Sequence, residues 1–443
     1  MLILAAATTA NDSIAQKSLL AFAIAIAALP RIAEGLSGNE FRVAHPGLLI
    51  TLASVLLLAA AQTMPLPGIG TVSSDPYNTS VFIVVFGSLV IAFEVLSHYA
   101  NTGSRIRVLA GLILAIGLLT AVVGLSGRFV PEMQNWILGS GSEQGVGLGQ
   151  FPNRNHFALL LEMPVGLLLG LLIGGRHPGW KKLVGSMLLA VLVIGVVASS
   201  SRGGMVGVAA IFVFAVFVRA LTAQIAIVEG GSTHDRSQAA ARSRIGKIAV
   251  AAGLSVAVGL LIWTGIAFVG GDYVATRFER VDEELLKAEP GRVNRNAIWQ
   301  STIALIREKP LLGSGFGAYA EAIPRFDESS GRFHLEQAHN DYLEILAGGG
   351  AVGFALFGIF GVLASVRIIR NLRESDPERR QYHLGATAGI VGVLVHSFVD
   401  FGLHVMVNAL VFTVLIVIAT TEWETGPQKS TGTISRKARA KRA

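Results

Sequence analysis

Long apolar stretches fill most of this chain, and its charged residues gather in the gaps between them. Most stretches run for roughly 17–25 residues, the length a helix needs to cross the ~30 Å hydrocarbon core of a bilayer. About eleven segments of this kind are read from the pattern. They are Ser18–Pro30 (short), Gly47–Met64, Ser80–Leu96, Val108–Leu125, Ala158–Ile173, Leu183–Ala198, Met205–Val218, Ile248–Val269, Ile345–Val366, Leu384–Phe398 and Val405–Thr421. The pattern predicts an all-α polytopic membrane protein with about 11–12 transmembrane helices, the twelfth allowing for an unrecognised helix at the N-terminus.

The polar gaps set the orientation. One holds Arg176, Lys181 and Lys182, another Arg219, Arg236, Arg242, Arg244 and Lys247, and a third Arg367, Arg370, Arg373, Arg379 and Arg380. These alternate loops, with the basic tail, face the cytoplasm by the positive-inside rule. The other face receives the gaps 63–79, 128–155, 199–204, 270–341 and 400–404. Four regions follow: an N-terminal transmembrane bundle of about eight helices over 1–269, a large outer loop over 270–341, C-terminal transmembrane helices over 342–421, and a basic cytoplasmic tail over 422–443. Residues 1–10 lack a basic start and do not read as a cleaved signal peptide. The outer loop, about seventy residues long, is too long to be idle if ordered. Within it, Asn294–Arg307 reads as a helix with Ile298, Trp299, Thr302, Leu305 and Ile306 on one side; Pro310 ends it and Gly313, Gly315 and Gly317 make a turn. A folded cap on the outer membrane face is expected.

Composition agrees: 52% of residues are hydrophobic and 15% charged, against about 25% charged in soluble domains. A net charge of +7 and a pI near 9.8 would suit nucleic acid, but the basic residues sit in short loops and a tail that anionic lipid explains better. With no cysteine, disulfides, thiol catalysis and thiolate metal sites are excluded.

Candidate chemistry converges on the outer face. Arg202, in Ser199-Ser-Ser-Arg-Gly-Gly204, is an outward Arg in a very short loop, beside glycines and a helix start suited to an anion. His339 opens Ala338-His-Asn-Asp-Tyr-Leu-Glu344 where the loop re-enters the membrane, and a neutral imidazole there can accept a proton. Asn340 or Asp341 reads as a helix cap that would fix it. Arg292 and Arg295 open the loop helix, where the dipole disfavours cations unless an anion pairs with them. Arg154 and His156 precede the fifth segment. His396, Asp400 and His404 are spaced by four and share one side if the helix continues. Glu94 and Glu162 read as interior pairing partners. Each also has a plain structural reading: snorkelling, solvation or a hydrogen-bond network. No phosphate-binding lysine loop, dinucleotide motif or paired-aspartate metal motif is present, so no cofactor is expected, and no metal site beyond the His/Asp/His spacing suggests itself.

Several of these pieces together resemble the bacterial O-antigen ligase and polymerase superfamily: Ser200-Ser-Arg-Gly-Gly204, Arg295-x-x-x-Trp299, Lys309-Pro-Leu-Leu-Gly-Ser-Gly-Phe-Gly317, Ala338-His-Asn-Asp-Tyr-Leu-Glu344 with Gly350-x-x-Gly353, Asn153-Arg-Asn-His-Phe157 and His396-Ser-Phe-Val-Asp400. The resemblance runs from about Arg128 to Thr421. It implies a GT-C-type bundle in the bacterial inner membrane with a large periplasmic loop, and metal-independent transfer of a saccharide from undecaprenyl diphosphate. The acceptor it implies is a hydroxyl of lipid A–core, of a growing glycan or of a protein serine. By the same resemblance His339 is the catalytic histidine, Arg202 contacts the diphosphate, and Arg295, with Arg292 competing, is the loop arginine. An exporter of a lipid-linked or anionic substrate is the alternative from another class.

Overall fold

The computed structural model describes residues 13–37, 42–65, 67–68, 70–130, 132, 147–229, 295–327, 335–374 and 376–423. Among them are twelve α-helices and two short 3-10 turns. We number the helices α1 (Ile14–Leu36), α2 (Pro46–Thr63), α3 (Pro76–Tyr99), α4 (Gly103–Phe129), α5 (Arg154–Gly174), α6 (Gly179–Ala198), α7 (Arg202–Glu229), α8 (Arg295–Glu308), α9 (Tyr319–Ala322), α10 (Asp341–Leu372), α11 (Pro377–His396) and α12 (Met406–Thr420). Eight of them, α1–α7 and α10, are long and apolar enough to cross a membrane, and α12 is a shorter apolar helix. The chain is an all-α polytopic membrane protein. The expected span Ile248–Val269 and the candidate Arg292 lie outside the described residues.

Local chemistry sets the helix starts. Asp75, Asn153, Asn340 and Asp376 each cap a helix by accepting backbone N–H groups from its first turn, and Pro76 and Pro377 stand at first-turn positions, where a missing N–H costs nothing. The first segment, read as short, is a full 23-residue helix. Its apolar run stops near Pro30, yet the helix continues, because buried Arg31 pairs with Glu94 at 3.3 Å and Glu34 accepts from Tyr99 at 2.7 Å. Paired ions of this kind are tolerated inside a bundle.

At the centre, α5 and α11 lie almost backbone to backbone. A Cβ on Gly166 would come within 2.2 Å of the Gly389 nitrogen, and one on Gly170 within 2.2 Å of the Gly385 Cα. Two small-x-x-x-small rows therefore face each other, the arrangement that lets membrane helices pack closely without a hydrophobic driving force.

The cap is a second, smaller core of Ile298, Leu305, Tyr319, Ile323, Leu335 and Ala338, and Thr302 bonds the Tyr319 hydroxyl at 2.7 Å. As the apolar spacing predicts, Ile298, Thr302 and Leu305 of α8 are buried. The glycine-rich segment after α8 does more than turn. α10 breaks at Gly350, whose φ of 61° is left-handed, and the 310–315 segment docks into the break. Ser314 N donates to Ala347 O, Gly315 N to Gly348 O, Ala351 N to Pro310 O and Val352 N to Leu311 O. Buried Gln62 of α2 completes the joint: its Nε2 donates to Leu312 O and Gly348 O, and its Oε1 accepts from Phe316 N. Backbone groups freed by a broken membrane helix must find such partners.

Candidate functional site

The loop between α11 and α12 carries Asp400, buried to 1% side-chain exposure, and three imidazoles surround it. His339 Nδ1 lies 3.6 Å from Oδ1, while His156 Nε2 and His396 Nε2 lie 3.8 Å and 4.0 Å from Oδ2. These are charge contacts longer than ordinary hydrogen bonds. Among the described residues neither Asp400 oxygen has a hydrogen-bond partner, nor has His339 Nδ1 or His396 Nε2. Burial alone would raise the Asp400 pKa. Contact with His339, then the charges of His156, His396 and Arg295, outweigh burial and hold the carboxyl below its usual range.

Each imidazole is placed by its own element. His339 precedes the α10 cap in a left-handed conformation, φ 51°, which non-glycine residues adopt only where the surroundings impose it. Two contacts impose it here. Asn340 Oδ1 accepts from the Tyr342 and Leu343 nitrogens, and Trp299 Nε1 on α8 donates to Ala338 O at 3.1 Å. The cap is Asn340, with Asp341 the first helical residue. His339 is one-third exposed and stacks edge-on against Phe401, 4.8 Å between centroids. His156 meets the same ring from elsewhere at 4.7 Å; it lies in the first turn of α5, which begins at Arg154 rather than after it. His396 ends α11 and shares a 2.6 Å hydrogen bond with fully buried Glu162 of α5, so Glu162 and Glu94 both have the interior partners expected of them.

His396, Asp400 and His404 do not line one helix face. α11 stops at His396, and His404 ends a 3-10 turn facing Asp341 at 3.6 Å and Glu344 at 3.5 Å instead. Asp341 itself accepts from Ser397 Oγ at 2.7 Å. Among the described residues no three His, Asp or Glu side chains are arranged to hold a metal ion.

Arg202 is the first residue of α7, not a residue between helices. Its neighbour Gly203 packs on the His396 ring so closely that a Cβ would lie 2.5 Å from Nε2. Arg295 is exposed at the start of α8, one helical turn before Trp299, and its charge reaches Asp400. The structure thus gathers His339, His156, His396, Asp400 and Asp341, with Arg202 and Arg295 at the edge. Ser397, Phe401 and Glu344 take part without having been singled out, although Ser397 and Glu344 stood inside quoted motifs. Phe401, a lone aromatic beside Asp400, gave no signal in the sequence.

A multi-pass membrane protein with a cap, and with ionisable side chains clustered where cap meets bundle, is the class that fold and geometry define. Residues 187–358 match the family model described as O-Antigen ligase. The match supports the O-antigen ligase and polymerase superfamily and an O-antigen ligase-like membrane enzyme in broad terms. It covers Arg202, Arg295, His339, Asn340 and Asp341; Arg154, His156, His396 and Asp400 lie outside it. No curated protein matches the chain.

Proposed function

We propose that the protein is an O-antigen ligase-like glycosyltransferase with a GT-C-type bundle, working at the periplasmic face of the inner membrane. It moves a saccharide from undecaprenyl diphosphate to an acceptor hydroxyl, without a metal. His339 takes the proton of the acceptor hydroxyl. The freed oxygen attacks the anomeric carbon, and the bond from that carbon to the diphosphate breaks with its electrons leaving on the diphosphate. Arg202 and Arg295, with Arg292 a further candidate, offset the charge that develops there. Asp400 orients His339 and stabilises it once protonated, as a buried carboxylate does for a catalytic imidazole. Arg154, His156, Asn340, Asp341 and His396 support this group.

The observation that carries the reading is a part-exposed imidazole in left-handed backbone geometry, set against a buried carboxylate, at the junction of cap and bundle; in this reading the membrane-borne donor and the outer-face acceptor meet there. It is tested by transfer with purified protein, lipid-linked donor and acceptor. His339→Gln keeps hydrogen bonding but cannot take a proton near neutral pH, and should lose about 10²–10⁴-fold in rate while still binding donor. Wild-type protein without transfer, or a fully active Gln variant, would overturn the reading; retained substrate export with no transfer would favour a transporter.

A further inference from the structure

A cleft of about 470 Å³ opens between α1, α3, the cap and the start of α12. Its volume is within the range of small-molecule sites, roughly 300–1,000 Å³. Neither Arg202 nor Arg295 lines it. One part is apolar, built by Phe82, Phe86 and Leu89 of α3 with Met406 of α12. The α3 wall runs from Asn78 to Leu89, roughly 16 Å along a helix, which is about half the hydrocarbon thickness of a bilayer. The other part is polar: Glu321, Glu336, Gln337, Glu344 and His404, with Lys17 the only Lys or Arg among the described lining residues.

These two parts define what fits. An apolar wall of that depth suits an alkyl or isoprenoid chain entering from the outer leaflet. Glu321 and Glu336, against one lysine, repel phosphate and accept hydrogen bonds from sugar hydroxyls, while Glu344 adds its charge but is already engaged by Ala338 N and His404. The polar end also adjoins the site described above. His404 contacts Asp341 and Glu344, and its ring faces Phe401 at 6.0 Å, a ring that also packs against His339 at 4.8 Å and His156 at 4.7 Å.

We propose that this cleft binds the acceptor, and that the acceptor is an amphiphile whose headgroup next to the apolar chain is an uncharged, hydroxyl-rich glycan rather than a phosphate. The diphosphate donor then approaches on the arginine side and the acceptor through the carboxylate side, so charge sorts the two lipid substrates. Assigning this ligand to the acceptor rests on the glycosyl-transfer reading; its binding in the cleft does not.

The experiment measures binding alone, on the full-length protein in phosphatidylcholine nanodiscs. Two photoactivatable probes share one alkyl chain, one headed by glucose and the other by phosphate. The glucoside should crosslink to peptides holding Phe82–Leu89 and Met406–Ala409, about tenfold more than the alkyl phosphate, as a single favourable or unfavourable charge contact would give. Ala409→Trp, which fills the cleft, should abolish this labelling. The exposed substitution Glu336→Lys should raise alkyl-phosphate labelling and keeps the proposal testable if Ala409→Trp misfolds. Equal or preferential labelling by the phosphate, labelling confined to other helices, or no response to either substitution would overturn it. Failure of transfer in the wild type sinks the enzymatic reading instead and leaves these labelling results standing.

Discussion

Replacing Asp400 with Asn removes one charge and almost no volume, so it tests what the buried carboxylate does for the imidazoles around it, His339 nearest of them. A unit positive charge on His339 Nδ1, 3.6 Å from Asp400 Oδ1, would interact by roughly 4.6 kcal/mol at an effective dielectric constant of about 20. His339 is 33% exposed, and solvent screening reduces that figure to about 2.3 kcal/mol. At ~1.36 kcal/mol per tenfold, the predicted loss in transfer rate is about 50-fold. The assay is single-turnover transfer with purified protein and saturating donor, with thermal unfolding measured in parallel. The reasoning also predicts the double variant. If Asp400 acts through His339, adding Asp400→Asn to His339→Gln should cost almost nothing more, since residues that act as a unit are not additive. Losses that multiply would refute the coupling, as would an Asp400→Asn rate within about twofold of wild type, well short of the predicted loss.

Four further outcomes are expected. Arg202→Lys should transfer about tenfold more slowly or worse in the same assay, because lysine keeps the charge but loses the planar fork. Gly170→Leu should fail to accumulate or unfold at much lower temperature, since its Cβ alone would sit 2.2 Å from Gly385, whereas Gly358→Leu, with nothing within 4 Å, should be tolerated. Gln62→Leu leaves Leu312 O and Phe316 N without their Gln62 partner and should cost about 1–3 kcal/mol per orphaned group, seen as faster proteolysis of the cap. Because the chain has no cysteine, single substitutions can be labelled cleanly: Glu321→Cys should react with an impermeant maleimide added outside the inner membrane, and Lys181→Cys only after lysis.

The membrane class was legible because apolar length is a one-dimensional signal, and so was α8, whose buried Ile298, Thr302 and Leu305 follow helical spacing. Signals that depend on three dimensions were not. The run around Ser18–Pro30 looked short because Arg31 and Glu34 interrupt it, and only the fold supplies their partners Glu94 and Tyr99. Spacing by four would put His396, Asp400 and His404 on one helix face only if the helix continued, and α11 ends at His396. His404 therefore turns to Asp341 and Glu344 while Asp400 stays with His396. His339 and Arg202 stood out through local context. The Glu162–His396 bond joins residues 234 positions apart, and no local pattern announces it. Gly313-Ser-Gly-Phe-Gly317 read as a turn; its backbone instead repairs the break in α10, a role that appears only when Gly350 is seen to leave the helix.

That repair bears on why the site is built where it is. His339 sits at the end of α10 that faces the cap, beyond the break at Gly350, so its position depends on how firmly the first turns of α10 are held. They are held from three directions: Gln62 of α2 at the break, Ser397 on Asp341, and Trp299 of the cap on Ala338. Asp400, in contrast, hangs from the end of α11, which the glycine rows lock against α5, and α5 also supplies Glu162 and His156. The carboxylate is therefore fixed to the rigid centre of the bundle and the imidazole to the joint with the cap. A cap that shifted on its joint would change the His339–Asp400 distance first. In the proposed reaction, basicity at His339 is then tied to how the cap sits on that joint.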